Sequence, residues 1–271
     1  MGNSGERSQV EVDVNVPSVA RMYDYYLGGK DNYRVDRDAV HELDKQVPST
    51  KPLAINNRRF LQRVVGVLAR EYGVRQFLDH GSGLPTQDNV HQVAQAVDPS
   101  SRVVYVDNDP IVLAHGRALL EENGNTAVIT ADMRDTEEIF NHPEVRRLID
   151  LEQPVAALLV SVMHCIPDED HPEQMVRRIL DKLPSGSFMV LNQFVSDDPH
   201  IREWTARFMD EATQGNWGRV RQEHEVKRYF EGLEILEPGL CEITEWRPDG
   251  SLGPQQLTTE WIEFGGVGRK P

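Results

Sequence analysis

Cysteine, positive charge and long apolar runs are all scarce in this chain, and each scarcity removes a class of protein. Two cysteines in 271 residues, Cys165 and Cys241, leave no disulfide framework and no zinc-ligand spacing. Lys and Arg number 29 against 44 Asp and Glu, a formal charge of −15. Holding nucleic acid takes clustered cations that neutralise phosphate, so this balance argues against a nucleic-acid partner. No apolar run reaches the ~18 residues that a membrane helix requires, so no membrane partner is expected. The start MGNSGERSQVEVDV lacks the apolar core of a signal peptide, and Glu6 stands where a myristoylation signal carries Ser or Thr. A cytoplasmic location is expected, with a small molecule as the favoured partner and the oligomeric state left open. The length allows one decorated α/β domain or two small domains, with a sizeable core in either case.

What is present centres on QFLDHGSGLPTQDNVHQVAQAV, residues 76 to 97. Phe77 and Leu78 lead to Asp79, then to a turn holding Gly81, Ser82 and Gly83. A helix follows whose Val90, Val93, Ala94 and Val97 share one face. Glycine lets the backbone turn sharply and lets a ligand approach main-chain N–H groups. A dinucleotide fold wants G-x-G-x-x-G, but Thr86 takes the third glycine position and Pro85 precedes it. An acid at the strand end would also repel pyrophosphate. It suits a cation, and S-adenosylmethionine carries a sulfonium and an ammonium without any phosphate. A plain strand-to-helix turn is the alternative for the glycine motif taken alone.

The rest of the chain alternates strands and helices. Residues 1 to 16 read as a flexible tail. Residues 17 to 72 read as an N-terminal helical lid, rich in tyrosine around Gly28 and Gly29, and a lead-in helix from Ile55 to Tyr72. The core, residues 73 to 271, has strands at 102–107, 126–132, 155–162 and 188–194, with helices at 110–123, 137–149 and 174–183 between them. A helix carrying Ile201, Trp204, Phe208 and Met209 precedes a strand-like C-terminal third. The strand runs are continuously apolar, as parallel strands covered on both faces require. The expected fold is α/β: a Rossmann-like, doubly wound sheet of seven strands, mostly parallel with an antiparallel C-terminal strand.

In such a sheet the strand ends share one rim. That rim gathers Asp79, Asp107, Asp132 and Ser161 around one crevice. Asp107 is spaced to accept both ribose hydroxyls and Asp132 to accept an adenine amino group, while Asp109 followed by Pro110 reads as a helix cap. The successive motifs DHGSGLP, VVYVDNDP, ADMR and ALLVSVMHCIPDED resemble those of class I S-adenosylmethionine-dependent methyltransferases. With the leader PSVARMYDYYLGGKDNYRVDR, the chain looks like the actinobacterial branch long known as a domain of unknown function. That resemblance, which runs from about Val16 to Gly268, implies that Asp79, Gly81 and Gly83 hold the methionine portion of S-adenosylmethionine. It further implies Asp107 at the ribose, Asp132 and Met133 at the adenine, and Ser161 at the pocket edge, and Ser82 and Asn108 are expected among the cofactor-binding residues. From the leader, Tyr23 and Gly29 are expected to close on the cofactor. His164, just past the fourth strand, is the candidate catalytic base, since imidazole titrates near neutrality. His164, Asp168 and His171 are poorly spaced for a metal, and none is expected. The activity implied is methyl transfer to oxygen or nitrogen of a small molecule. A noncatalytic S-adenosylmethionine sensor and an NAD-dependent oxidoreductase are the alternatives.

Overall fold

A computed structural model describes residues 12–85, 88–119, 123–250, 253–256 and 258–271. Three helices come first: α1 (Val19–Tyr26), α2 (Arg34–Leu43) and α3 (Thr50–Glu71). The alternating core follows with β1 (Gln76–His80), α4 (Val90–Val97), β2 (Arg102–Asp107), α5 (Pro110–Leu119) and β3 (Thr126–Thr130). It continues through α6 (Thr136–Asn141), α7 (Pro143–Leu148), β4 (Ala156–Val160), α8 (Pro172–Lys182) and β5 (Phe188–Val195). The chain ends with α9 (Pro199–Thr213), α10 (Glu223–Tyr229), β6 (Glu234–Ile235), β7 (Cys241–Glu242) and β8 (Ile262–Arg269).

The sheet runs β3-β2-β1-β4-β5-β8-β6, with β1 to β5 parallel and β8 antiparallel between β5 and β6. These are the seven strands expected, and among the described residues the two-residue β7 also pairs with β8 off that path. Alternate residues of each strand feed opposite layers. Leu78, Val104, Leu159 and Leu191 pack on one face with Ile139, Leu148, Ile179 and Val226. Phe77, Val103, Leu158 and Val190 pack on the other with Phe60, Val64, Leu68 and Ala94. Both faces are thus covered by helices, which is why the strands carry unbroken apolar runs.

Beyond shifts of one or two residues at strand and helix ends, two elements differ from the sequence expectation. The lead-in helix starts at Thr50 rather than Ile55, because Pro52 falls in its first turn, where no N–H is needed for an intrahelical bond. The helix expected over 137–149 is two, broken at His142–Pro143: proline holds His142 extended and starts α7. α4 begins only at Val90, capped by Asn89 and Gln92, so residues 84–89 separate it from the glycine loop. Thr86 and the end of the helix expected to residue 123 lie partly outside the described residues.

The leader packs into the protein. Met22, Tyr26, Val40 and Leu43 share an apolar cluster with Leu53, Phe194, Met209, Trp217 and Trp261. Beneath it, the buried Arg21 guanidinium meets the buried Asp36 carboxylate at 2.9 Å, and Asp36 also accepts from the backbone N–H of Ser18 and Tyr33. Arg21 donates further to the carbonyls of Asp13, at 3.1 Å, and Val16. Of the stretch read as a tail, residues 13 to 16 are therefore tethered; residues 1 to 11 lie outside the described residues. Among the described residues, no helix is long and apolar enough to cross a membrane.

Candidate active site

The rim at the carboxyl ends of the parallel strands holds a cavity of about 480 Å³, within the size range of small-molecule sites. The loop after β1 is clamped on both sides. Gly81 donates its N–H to Val106 O at 2.8 Å, and Gly83 donates to Asp107 Oδ2 at 2.8 Å. Gly81 has φ +69°, and a Cβ there would lie 2.4 Å from Val162 Cγ2. Only glycine fits that turn. Asp107 also accepts from Asp109 N at 2.9 Å, and Asp109 caps α5 through Ile111 N at 3.0 Å.

The carboxylates of the rim sit in unlike environments. Asp79 is 5% exposed and accepts no hydrogen bond from any described group, and burial pushes its carboxyl up to about 7. A buried, unpartnered acid facing a cavity is stabilised by an arriving cation. Burial also raises Asp107, to about 6, against the backbone N–H groups that favour its charged form. Asp132 differs: the Arg134 guanidinium grips both of its oxygens, holding it below the usual carboxylate range, and bridges on to Asp170 at 2.7 Å.

These residues fall within one family. The family model of the S-adenosyl methyltransferases matches residues 5–271. The chain belongs to that family. A Thermobifida fusca crystal structure described provisionally as a methyltransferase is 44% identical, covers 95% of this chain and 96% of its own, and superposes with a TM-score of 0.86. A DUF574 family protein from Streptomyces avermitilis is 39% identical over 96% of this chain and 100% of its own, with a TM-score of 0.87. The N-methyltransferase NodS of Bradyrhizobium japonicum, solved with S-adenosyl-L-homocysteine, shares the fold at 12% identity, covering 93% of this chain and 99% of its own with a TM-score of 0.50. No curated protein matches the chain.

The protein is thus an S-adenosylmethionine-dependent methyltransferase, and S-adenosylmethionine is its cofactor. The cavity fits that molecule: three acids ring the rim, one of them accepts no hydrogen bond from the described residues, and Gly83 leaves open space where a side chain would stand. Of the residues singled out from the methyltransferase sequence, Asp79, Gly81, Ser82, Gly83, Asp107, Asn108, Asp132, Met133, Ser161, Tyr23 and His164 all line the cavity. Gly29 does not. It belongs to a turn closed by Asp24, which accepts from Asp31 N and Asn32 Nδ2, and a Cβ at Gly29 would collide with the Asp24 carboxylate at 1.9 Å. The Tyr23 hydroxyl is engaged as well, donating to Ala54 O at 3.0 Å and accepting from Asn57 at 2.9 Å, so Tyr23 offers the cavity its ring.

His164 is buried between the rings of Phe194 and Trp217, with centroids 4.7 and 4.9 Å away. Its Nδ1 has no hydrogen-bond partner. Burial, with the Arg221 charge adding to it, pushes the imidazole down to about 3, so it is neutral at physiological pH. Asp168, weighed as a metal ligand, is bound by Arg219 and Arg221, and Arg221 also ties Met163 O and Ile166 O. That arginine fixes the loop carrying His164.

Several cavity-wall groups escaped the motif reading. Asn57 and Arg58 come from α3, Phe194 from the end of β5, and Trp217 and Trp261 from the C-terminal third. Behind Ser161, which has φ +53°, the fully buried Glu263 accepts from the serine hydroxyl and from Asn192 Nδ2 at 2.7 Å. Burial raises Glu263 to about 7. The alternation of NQF in β5 and IEF in β8, which places polar residues inside apolar strands, was the one available signal.

Proposed function

We propose that this methyltransferase moves the methyl group of S-adenosylmethionine to an oxygen or nitrogen of a small molecule, inside the cavity between the strand ends and the leader. The observation that carries the reading is Asp79, a nearly buried carboxylate that accepts no hydrogen bond from the described residues, set beside a cavity that continues to His164. Asp79 receives the ammonium, Asp107 the ribose hydroxyls and Asp132 the adenine amino group, while the loop at Gly81 to Gly83, its N–H groups tied to Val106 O and Asp107 Oδ2, fixes the wall along which the methionine portion lies. The bound cofactor supplies an electrophilic methyl on a sulfonium. The chain's part is to hold donor and acceptor in line and to exclude water, which is where in-line displacement gains most of its rate. Residues 12 to 26 cover the rim, and Ser18 Oγ donates to Asp109 Oδ2 at 2.5 Å, joining the leader to the loop after β2. Those contacts support the lid reading.

His164 serves as the acceptor's hydrogen-bond partner, since a neutral imidazole with a free nitrogen can receive a proton that the acceptor sheds. The charge of −15 and the enclosed cavity favour a metabolite over nucleic acid. The test is calorimetric titration with S-adenosylmethionine and S-adenosylhomocysteine, followed by a methyl-transfer screen against a metabolite extract by mass. Micromolar binding that Asp79→Asn weakens at least tenfold, with mass gains of one methyl on small compounds, is the expected result. Absence of binding by the wild-type protein would end the assignment of these residues.

A further inference from the structure

The cavity has two unlike ends, and the sheet order separates them. Its acids sit over β3, β2 and β1, while Phe194 and Trp261 sit over β5 and the approach to β8, with the loop of Ser161 and His164 between. Every charged side chain among the described lining residues belongs to the leader, to α3 or to the ends of β1, β2 and β3. The far end is aromatic instead. Phe194 and Trp261 stack at 4.2 Å with 9° between planes, His164 lies against Phe194, and Trp217 lies against His164. Neither Trp217 Nε1 nor Trp261 Nε1 has a hydrogen-bond partner, and His164 Nδ1 has none. Buried indole N–H groups normally find one, and ring faces attract other flat rings.

We propose that the acceptor is a flat, uncharged aromatic compound bearing the hydroxyl that is methylated, held against the wall of Phe194, Trp261, His164 and Trp217. This rests on the cofactor reading above. A charged acceptor would be desolvated at an end whose described lining carries no charged side chain, which is costly, whereas a neutral ring is favoured there. The indole N–H groups supply donors for an oxygen elsewhere on the ring system. The acceptor's hydroxyl oxygen attacks the methyl carbon, displacing sulfur together with the electron pair of the broken carbon–sulfur bond, and His164 takes the hydroxyl proton before passing it to solvent. The positive charge lost at sulfur reappears on the imidazole, so the site's net charge is unchanged by the step.

The test loads the full chain with S-adenosylhomocysteine and titrates it by calorimetry with phenol, 4-methoxyphenol and 1-naphthol. Cyclohexanol serves as the saturated control and 4-hydroxybenzoate as the anionic one. At least one phenol should bind ten or more times tighter than both controls, and Trp217→Phe, which keeps the ring and removes the N–H, should weaken 4-methoxyphenol several-fold with S-adenosylhomocysteine affinity unchanged. Trp217→Leu should abolish phenol binding; if that variant unfolds, the Trp217→Phe result decides. Equal binding of cyclohexanol, tighter binding of 4-hydroxybenzoate, or no phenol binding to the loaded protein would overturn the inference and leave the cofactor site standing. Failure of S-adenosylhomocysteine itself to bind would overturn both.

Discussion

The environment of Asp79 makes the affinity for cofactor a function of pH. Its carboxyl is pushed up to about 7 by burial, opposed by the Arg58 charge and reinforced by Asp107. A cationic ammonium pairs with the ionised acid, so at pH 6 only about one molecule in eleven is ready to bind, and at pH 8 about ten in eleven are. Apparent affinity should therefore rise about tenfold between pH 6 and pH 8, worth about 1.4 kcal/mol. Asp107, at about 6, steepens the lower part of that range. S-adenosylhomocysteine is the better probe because it keeps the ammonium and lacks the labile sulfonium. Isothermal calorimetry at pH 6, 7 and 8, in buffers of different ionisation enthalpy, reads both the affinity and the proton released on binding. Asp79→Asn should bind weakly at every pH and lose the slope. A flat wild-type profile, or a slope surviving in Asp79→Asn, would refute this account of the site.

Gly81→Ala should melt earlier by about 1 to 3 kcal/mol and lose cofactor binding, because the new methyl meets Val162 at 2.4 Å in a backbone region with φ +69°; urea denaturation with a parallel titration checks it, and wild-type stability would refute the clash. The ligand-free protein should also lose stability as pH rises. Asp79 and Glu263, both near 7 when folded and near 4 when unfolded, hold their protons more tightly in the native state, so their contribution is present at low pH and is lost through pH 7. His80 and His164, pushed down to about 4 and about 3, act oppositely but only below the unfolded histidine value near 6.5. From pH 6 to pH 8 Asp79 and Glu263 together lose about 2.7 kcal/mol, Asp107, near 6, loses about 0.4, and the two histidines return about 1.6, so denaturant melts should register a net loss of about 1.5 kcal/mol. A rise over that interval would contradict the buried, protonated state of these acids.

The strand-end acids were legible in the sequence because a parallel sheet maps successive motifs onto one rim. Register bears this out: Asp79 pairs opposite Tyr105, Asp107 opposite Thr130, and Val160, just before Ser161, opposite Asn192. Periodicity also located the helices between the parallel strands, while missing the break that Pro143 imposes between α6 and α7 and the short α10, whose Val226 and Tyr229 join the core. Gly29 was less legible: nothing in a double glycine says that a neighbouring aspartate will fill the space a side chain would need. The chain of Glu263, Asn192, Asn57 and Tyr23 could not be read at all. Its links span 71, 135 and 34 residues of sequence, and no local pattern records contacts of that separation.

That same chain bears on how ligands reach the cavity. α1 is anchored to the sheet through Tyr23 and Asn57, to α2 through the buried Arg21–Asp36 pair, and to the apolar cluster through Met22 and Tyr26. Lifting it would break a buried ion pair, at about 3 to 5 kcal/mol, and expose two large side chains at about 2 kcal/mol each. Residues 12 to 17 are held more lightly, by the Arg21 bonds to two carbonyls, at about 1.5 to 3 kcal/mol each, and by the partly buried Val12. The cheaper opening is the release of this strap with α1 left in place. Amide exchange should then be fast over residues 12 to 17 and slow over 22 to 26, and S-adenosylhomocysteine should slow the strap far more than the helix. Equal exchange in the two segments would mean that the whole leader swings as one body, and the energies assigned here to the Arg21 and Tyr23 contacts would be wrong.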